Sequence, residues 1–167
     1  MTRGALVAAC LTLVLDAGTA AHGQPSTEWR DFAATWSLAG RRHAIPQAQA
    51  AAAIVELSGA FVVTGGVALG RGFRGEVIGL DDGEGASVGR AVWTDERGDR
   101  VFSRLTGEAI GGGRRVTGTI TGGTGRYAGL EGAFTFTWQY VLAGEGDRIQ
   151  GRASDVVGRV RRAGPQP

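Results

Sequence analysis

Four aromatic residues at alternate positions, Phe134, Phe136, Trp138 and Tyr140, are the most chemically telling run in the chain. Thr135, Thr137 and Gln139 fall between them. A strand carrying this pattern shows one aromatic face and one polar face. The rings either fill an interior or line a cavity for an apolar or aromatic ligand, and both readings stand. Just upstream, Gly122–Gly132 reads G-G-T-G-R-Y-A-G-L-E-G, five glycines around Tyr127. A glycine loop cradles phosphate when it follows a strand and opens a helix. Here the following residues alternate with strand period and no lysine follows, so the glycines serve left-handed turns and close backbone approach, with Tyr127 plugging one end of the fold.

Charged residues inside strand-like segments are the other source of chemistry. Glu56, Arg74, Glu76, Arg90, Arg104, Glu108, Arg152 and Asp155 fall at such positions. Most are expected to face water in weak cross-strand pairs. Glu76 and Arg104 are the catalytic candidates, because apolar residues flank them on the same face and an inward glutamate would serve as acid or base. The acidic turns at 81–85 and 95–99 would lie at opposite ends of a meander, so they cannot share a calcium ion. Beyond Gly23 the only histidine is His43, read as an exposed loop residue, and no cysteine or lysine occurs. A zinc site, a Ser-His-Asp triad and lysine Schiff-base chemistry therefore lack material. No cofactor is expected.

Around these residues the chain reads as strands. Eight segments, at roughly 34–42, 53–64, 73–80, 86–94, 100–109, 114–121, 131–142 and 148–160, recur about every dozen residues and end in glycine or charge. Gln47–Ala53 has helical composition but runs into Ile54-Val55, so a turn feeding a strand is expected. The connections are short, polar and glycine-bearing, as hairpins require. The fold class is all-β: an eight-stranded antiparallel meander closed into a small calycin-like barrel, preferred over a sandwich because no long crossover is visible. With 30 glycines and 18 arginines against 16 acidic residues, the net charge is only +2, which argues against a nucleic-acid partner.

The domain boundaries follow. Residues 1–23 read as a cleaved secretory signal, with Arg3 ahead of the twelve-residue apolar run Gly4–Leu15. That run is too short to span a bilayer and no later segment approaches eighteen apolar residues, so no membrane span is expected. Cys10 imitates a lipoprotein acceptor, but only six residues separate it from Arg3 and the apolar run continues beyond it. Residues 24–33 form a lead-in, 34–162 the single barrel domain, and 163–167 a tail. Arg159, Arg161 and Arg162 are expected in a solvated terminus.

The stretch Gly123-Thr124-Gly125-Arg126-Tyr127-Ala128-Gly129 with Gly132 resembles the G-T-G-x-[FY]-x-G-x-x-G signature of the allene oxide cyclase and dirigent barrel superfamily. Beyond that stretch the likeness rests on strand number and spacing from about 34 to 160. More particularly, the chain resembles exported bacterial proteins of this barrel type. The resemblance implies a small barrel, as homodimer or homotrimer, that binds an apolar molecule or guides a reactive intermediate. No catalytic residue of the plant enzymes transfers to a position here. The leading expectation is an exported, periplasmic or secreted, non-catalytic barrel binding a small apolar or aromatic molecule through Phe134, Phe136, Trp138, Tyr140 and Tyr127. A cyclase- or dirigent-like isomerase is the alternative from the enzyme class, and a solid, oligomerising barrel is the third. A ligand-sized interior would exclude the third; a charged pair within it would favour the second.

Overall fold

A computed structural model describes residues 27–46, 51–143 and 147–163. They form β1 (Arg30–Ile45), β2 (Ala52–Gly65), β3 (Gly72–Asp81), β4 (Ala86–Asp95), β5 (Arg100–Ile110), β6 (Gly113–Gly123), β7 (Leu130–Ala143) and β8 (Arg148–Arg162). A 3-10 turn, Gly125–Tyr127, interrupts the connection from β6 to β7. Every strand pairs antiparallel with the next, and β8 returns to β1, which closes the barrel. The expected eight-stranded meander is the observed fold. Closure satisfies the backbone hydrogen bonds that open sheet edges would expose.

Inward residues alternate along each strand, as a half-buried sheet requires. Phe32, Ala34, Trp36 and Leu38 point inward from β1; Phe61 and Val63 from β2; Phe73 and Val77 from β3; Trp93 from β4; Phe134, Phe136 and Trp138 from β7. The rings pack in tiers. Tyr127 meets Phe73 with centroids 5.6 Å apart, Phe61 stacks on Trp93 at 4.2 Å, and Trp36 meets Phe136 edge-on at 5.7 Å. Each such contact adds about 0.5–1.5 kcal/mol beyond the area it buries. Inward glycines make room for the rings. A Cβ built on Gly118 would stand 2.0 Å from the Phe134 ring.

On β8 the inward phase changes. Gly151 and Ala153 are buried, then Val156 and Val160. The register against β1 slips at the same place, with Trp36 facing Ala153 and Ala34 facing Val156. The ladder to β7 is also interrupted between Thr135 and Gln139. The Thr137 N–H there donates to Asp155 Oδ1 at 3.0 Å, so a side chain replaces the missing strand partner.

Three expectations change. β1 begins at Arg30, so residues 30–33 belong to a strand and not to a lead-in: Phe32 continues the inward period of Trp36, and Arg30 to Ala34 pair with β8. Arg159, Arg161 and Arg162 lie in β8 and are not a frayed tail. Arg161 Nε donates to Glu131 Oε1 at 2.6 Å, and the Arg159 and Arg161 guanidinium groups lie 4.9 and 4.5 Å from the Trp29 ring centre. His43 is exposed but sits within β1, opposite Ile54, where strand pairing continues past the expected end. Residues 1–26, including the signal and Cys10, lie outside the described residues, as do 47–50 of the alanine-rich stretch and 164–167. Ala52 and Ala53 of that stretch open β2.

Candidate functional site

The hairpins divide between two barrel ends. Connections β1–β2, β3–β4, β5–β6 and β7–β8 share one end; β2–β3, β4–β5 and β6–β7 share the other. The two ends differ in lining: an apolar cavity at the first, and at the second a charged cleft of about 110 Å³ outside Tyr127, between Arg30, Arg126 and Arg162.

At the second end the glycine loop acts as a seal. Tyr127 is buried, and its hydroxyl accepts the Gly70 N–H at 3.3 Å. Gly125 has φ +52, and a Cβ there would collide with the Asp99 carboxylate, so this position requires glycine. The Arg126 backbone N–H donates to Asp99 Oδ2 at 3.2 Å, while its guanidinium reaches Asp95 Oδ2 at 2.7 Å and Glu96 Oε1 at 3.1 Å. Burial acts to raise the Asp95 carboxyl. The Arg97 N–H, the Arg126 guanidinium, the Asp99 N–H and the Tyr127 hydroxyl outweigh it and hold that carboxyl below its ordinary value. Burial pushes the Tyr127 phenol up, against the opposing pull of the Gly70 N–H and Arg126.

The first end holds a cavity of about 100 Å³. Its aromatic wall is Trp36 of β1 with Phe136, Trp138 and Tyr140 of β7. Its other wall, on β3, β4 and β5, carries Gly79, Gly89 and Gly107 beside Ser87. The space exists because inward positions on three neighbouring strands lack side chains while rings stand opposite. Leu38, Leu57, Val77, Leu105 and Val116 complete an apolar lining. Gly151 lets the Trp138 ring lie flat against β8, since a Cβ there would stand 2.2 Å from it. The Trp36 indole nitrogen has no hydrogen-bond partner among the described residues and faces Gly75, away from the cavity.

One charged pair borders this cavity. Arg114 and Asp81 lie 2.5 Å apart with side chains only 15% and 10% exposed. Arg114 Nη1 also donates to the Gly85 carbonyl at 3.2 Å, and Asp81 Oδ1 accepts the Gly83 N–H at 3.1 Å. The pair clamps the β5–β6 hairpin to the β3–β4 turn, and both charges are matched.

The expected ligand-binding aromatics therefore separate. Phe136, Trp138 and Tyr140 line the cavity, Tyr140 at the solvent edge. Phe134 lies deeper, packed against Phe32 and Trp93 with centroids 6.5 and 4.9 Å away, and Tyr127 is at the opposite end. Neither touches the cavity. The inward placement expected of the catalytic candidates is not observed. Glu76 and Arg104 point to the outside; Glu76 pairs with Arg74 at 3.2 Å. Inward positions on β3 are Phe73, Gly75, Val77, Gly79 and Asp81, and on β5 Val101, Ser103 and Leu105. Trp36, Asp81 and Arg114 were missed. Asp81 continues the Phe73–Val77 phase and Arg114 the Val116–Ile120 phase, which is the signal that exposes them.

Comparison with protein-family models, with curated proteins and with solved structures finds no match to this chain.

Proposed function

We propose that the protein is an exported barrel that binds one small apolar or aromatic molecule in its open end. The observation that carries this reading is the cavity between the aromatic wall and the glycine wall, open at Tyr140 and sealed below by tiers of rings. Protein interiors are normally filled to crystal density, so an apolar void of this size is an available binding energy. An enclosed apolar cavity of about 150 Å³ accepts benzene; this one is smaller but open at Tyr140, so a short branched chain or a ring would enter with one edge left in solvent. The glycine signature around Tyr127 supports membership in the allene oxide cyclase and dirigent barrel superfamily, and the apolar run Gly4–Leu15 supports export.

The test is native mass spectrometry of protein purified from its own host, followed by titration with benzene and indole. Trp36 and Trp138 line the cavity, so binding should change tryptophan fluorescence along a saturable curve. Absence of a co-purifying molecule together with linear, non-saturating response to both probes would end this reading.

A second reading has one observation in its favour: the Asp81–Arg114 pair borders the cavity, as a cyclase-like catalyst would need. In that case Asp81→Asn should retain binding of the co-purified molecule and lose its conversion. Binding ranks first because both charges are already committed to each other and to turn backbone.

A further inference from the structure

The inward rows of the first and last strands both end in arginine at the sealed end. Arg30 stands two residues before Phe32 on β1, and Arg162 two residues after Val160 on β8. Both line the cleft outside Tyr127, together with Arg126 of the glycine loop. Tyr127, Leu130 and Val160 give that cleft an apolar floor. Long arginine stems cover such a floor while their heads stay in polar surroundings. Covering alone does not require three guanidinium groups around one space of about 110 Å³.

The heads differ in how they are matched. Arg126 is held by Asp95 and Glu96, and its guanidinium carbon lies 5.2 Å from the Tyr127 ring centre. Arg161, which also borders the cleft, is matched by Glu131. Neither Arg30 nor Arg162 forms an ion pair with a described residue. Arg162 Nη1 donates to the Ala128 carbonyl at 3.2 Å, and Nη2 donates to the Arg126 carbonyl. These main-chain contacts fix the guanidinium without neutralising it. Its rigid fork carries further N–H groups, so Arg162 keeps donors to spare. Glu28 is the one carboxylate among the described lining residues, set against two positive charges that no ion pair offsets.

We infer that this cleft binds a small tetrahedral oxyanion, inorganic phosphate or the phosphate of a small ester, between Arg30, Arg126 and Arg162. The donors arrive from three elements, β1, the glycine loop and β8, whereas a planar carboxylate is satisfied by a single fork. A phosphate has oxygens enough to meet all three. One water occupies about 30 Å³ of liquid, so a space of this size takes a five-atom anion and leaves the rest of an ester in solvent. The site lies at the opposite end from the apolar cavity and does not depend on what that cavity holds. An anion there joins the start of β1, the end of β8 and the glycine loop, so its binding stabilises the barrel by mass action.

Isothermal titration calorimetry at constant ionic strength tests this, with phosphate, glycerol 3-phosphate and acetate as probes. The wild type is expected to bind one phosphate per chain with a submillimolar dissociation constant, and acetate at least tenfold more weakly. Arg30→Gln removes a guanidinium that pairs with nothing described in the barrel. It should fold, as circular dichroism melting verifies, and bind phosphate roughly tenfold more weakly or worse. Arg30→Lys, which keeps the charge and loses the fork, should fall between the two. Arg104→Gln, on the outer face, should bind as the wild type does. Glycerol 3-phosphate binding as tightly as phosphate assigns the site to a carried phosphate group; its exclusion assigns the site to the free ion. Non-saturating heats with phosphate, acetate bound as tightly as phosphate, or full affinity in the folded Arg30 variants overturns the proposal.

Discussion

Nε and Nη2 of Arg126 both lie 2.7 Å from Oδ2 of Asp95, tying the glycine loop to the β4–β5 turn across the sealed end. The Asp95 side chain is fully buried, whereas a third of Arg126 remains exposed. Removing the guanidinium leaves a buried carboxylate without its counter-charge. Arg126→Ala should therefore destabilise the barrel by about 3 kcal/mol, the low end for a broken buried pair. Urea unfolding followed by tryptophan fluorescence measures it.

The same network sets the pH response. The Asp95 carboxyl is held below its ordinary value of 3.8 in the folded state. Its contribution is present above that value, and is lost as pH falls through the lower folded value, because the unfolded chain then binds the proton first. Tyr127 works in the opposite direction: its folded phenol titrates above the ordinary 10.0, so stability declines as pH rises past that point. Melting temperatures across pH 2–5 and 9–12 should fall at both extremes. Tyr127→Phe should remove part of the alkaline fall, and an unchanged alkaline limb would contradict the assignment.

Ser87 sits half-buried on the glycine wall, pointing into the cavity. Ser87→Phe should fill the space, abolish saturable indole binding and leave the melting temperature level or higher. Retained binding in the folded variant would place the ligand elsewhere.

Gly118 and Phe134 should behave as one unit. Gly118→Ala drives a methyl group into the ring and should cost about 1–3 kcal/mol, as overpacking does. In a Phe134→Leu background the same substitution should cost clearly less. A double-mutant cycle reads the coupling, and additive losses would refute it.

The barrel was legible in the chain because its hairpin chemistry and the Phe134–Tyr140 alternation are local. The facing of β3 was not. Its outward side carries Arg74, Glu76, Ile78 and Leu80 and its inward side Phe73, Gly75, Val77, Gly79 and Asp81, so each face has two large apolar residues and hydrophobicity does not choose between them. Glycine marks the interior here because rings from other strands occupy the space, Trp36 over Gly75 for one. That is a relation between distant residues which no single segment displays. The Asp81–Arg114 clamp was hidden for a related reason: both residues stand at strand ends, where charge reads as turn.

Arg30 pairs with Val160, so the first strand and the last complete each other. Until β8 is available, β1 and β7 both present unpaired edges, and only the final segment removes them. Ring closure is thus the longest-range event in the chain and the step expected to limit its rate. Weakening the β1–β8 seam should slow refolding, whereas altering the β3–β4 hairpin should mainly speed unfolding; stopped-flow fluorescence separates the two. Assembly of this protein is a race between its own last strand and any stranger that reaches the open edges first.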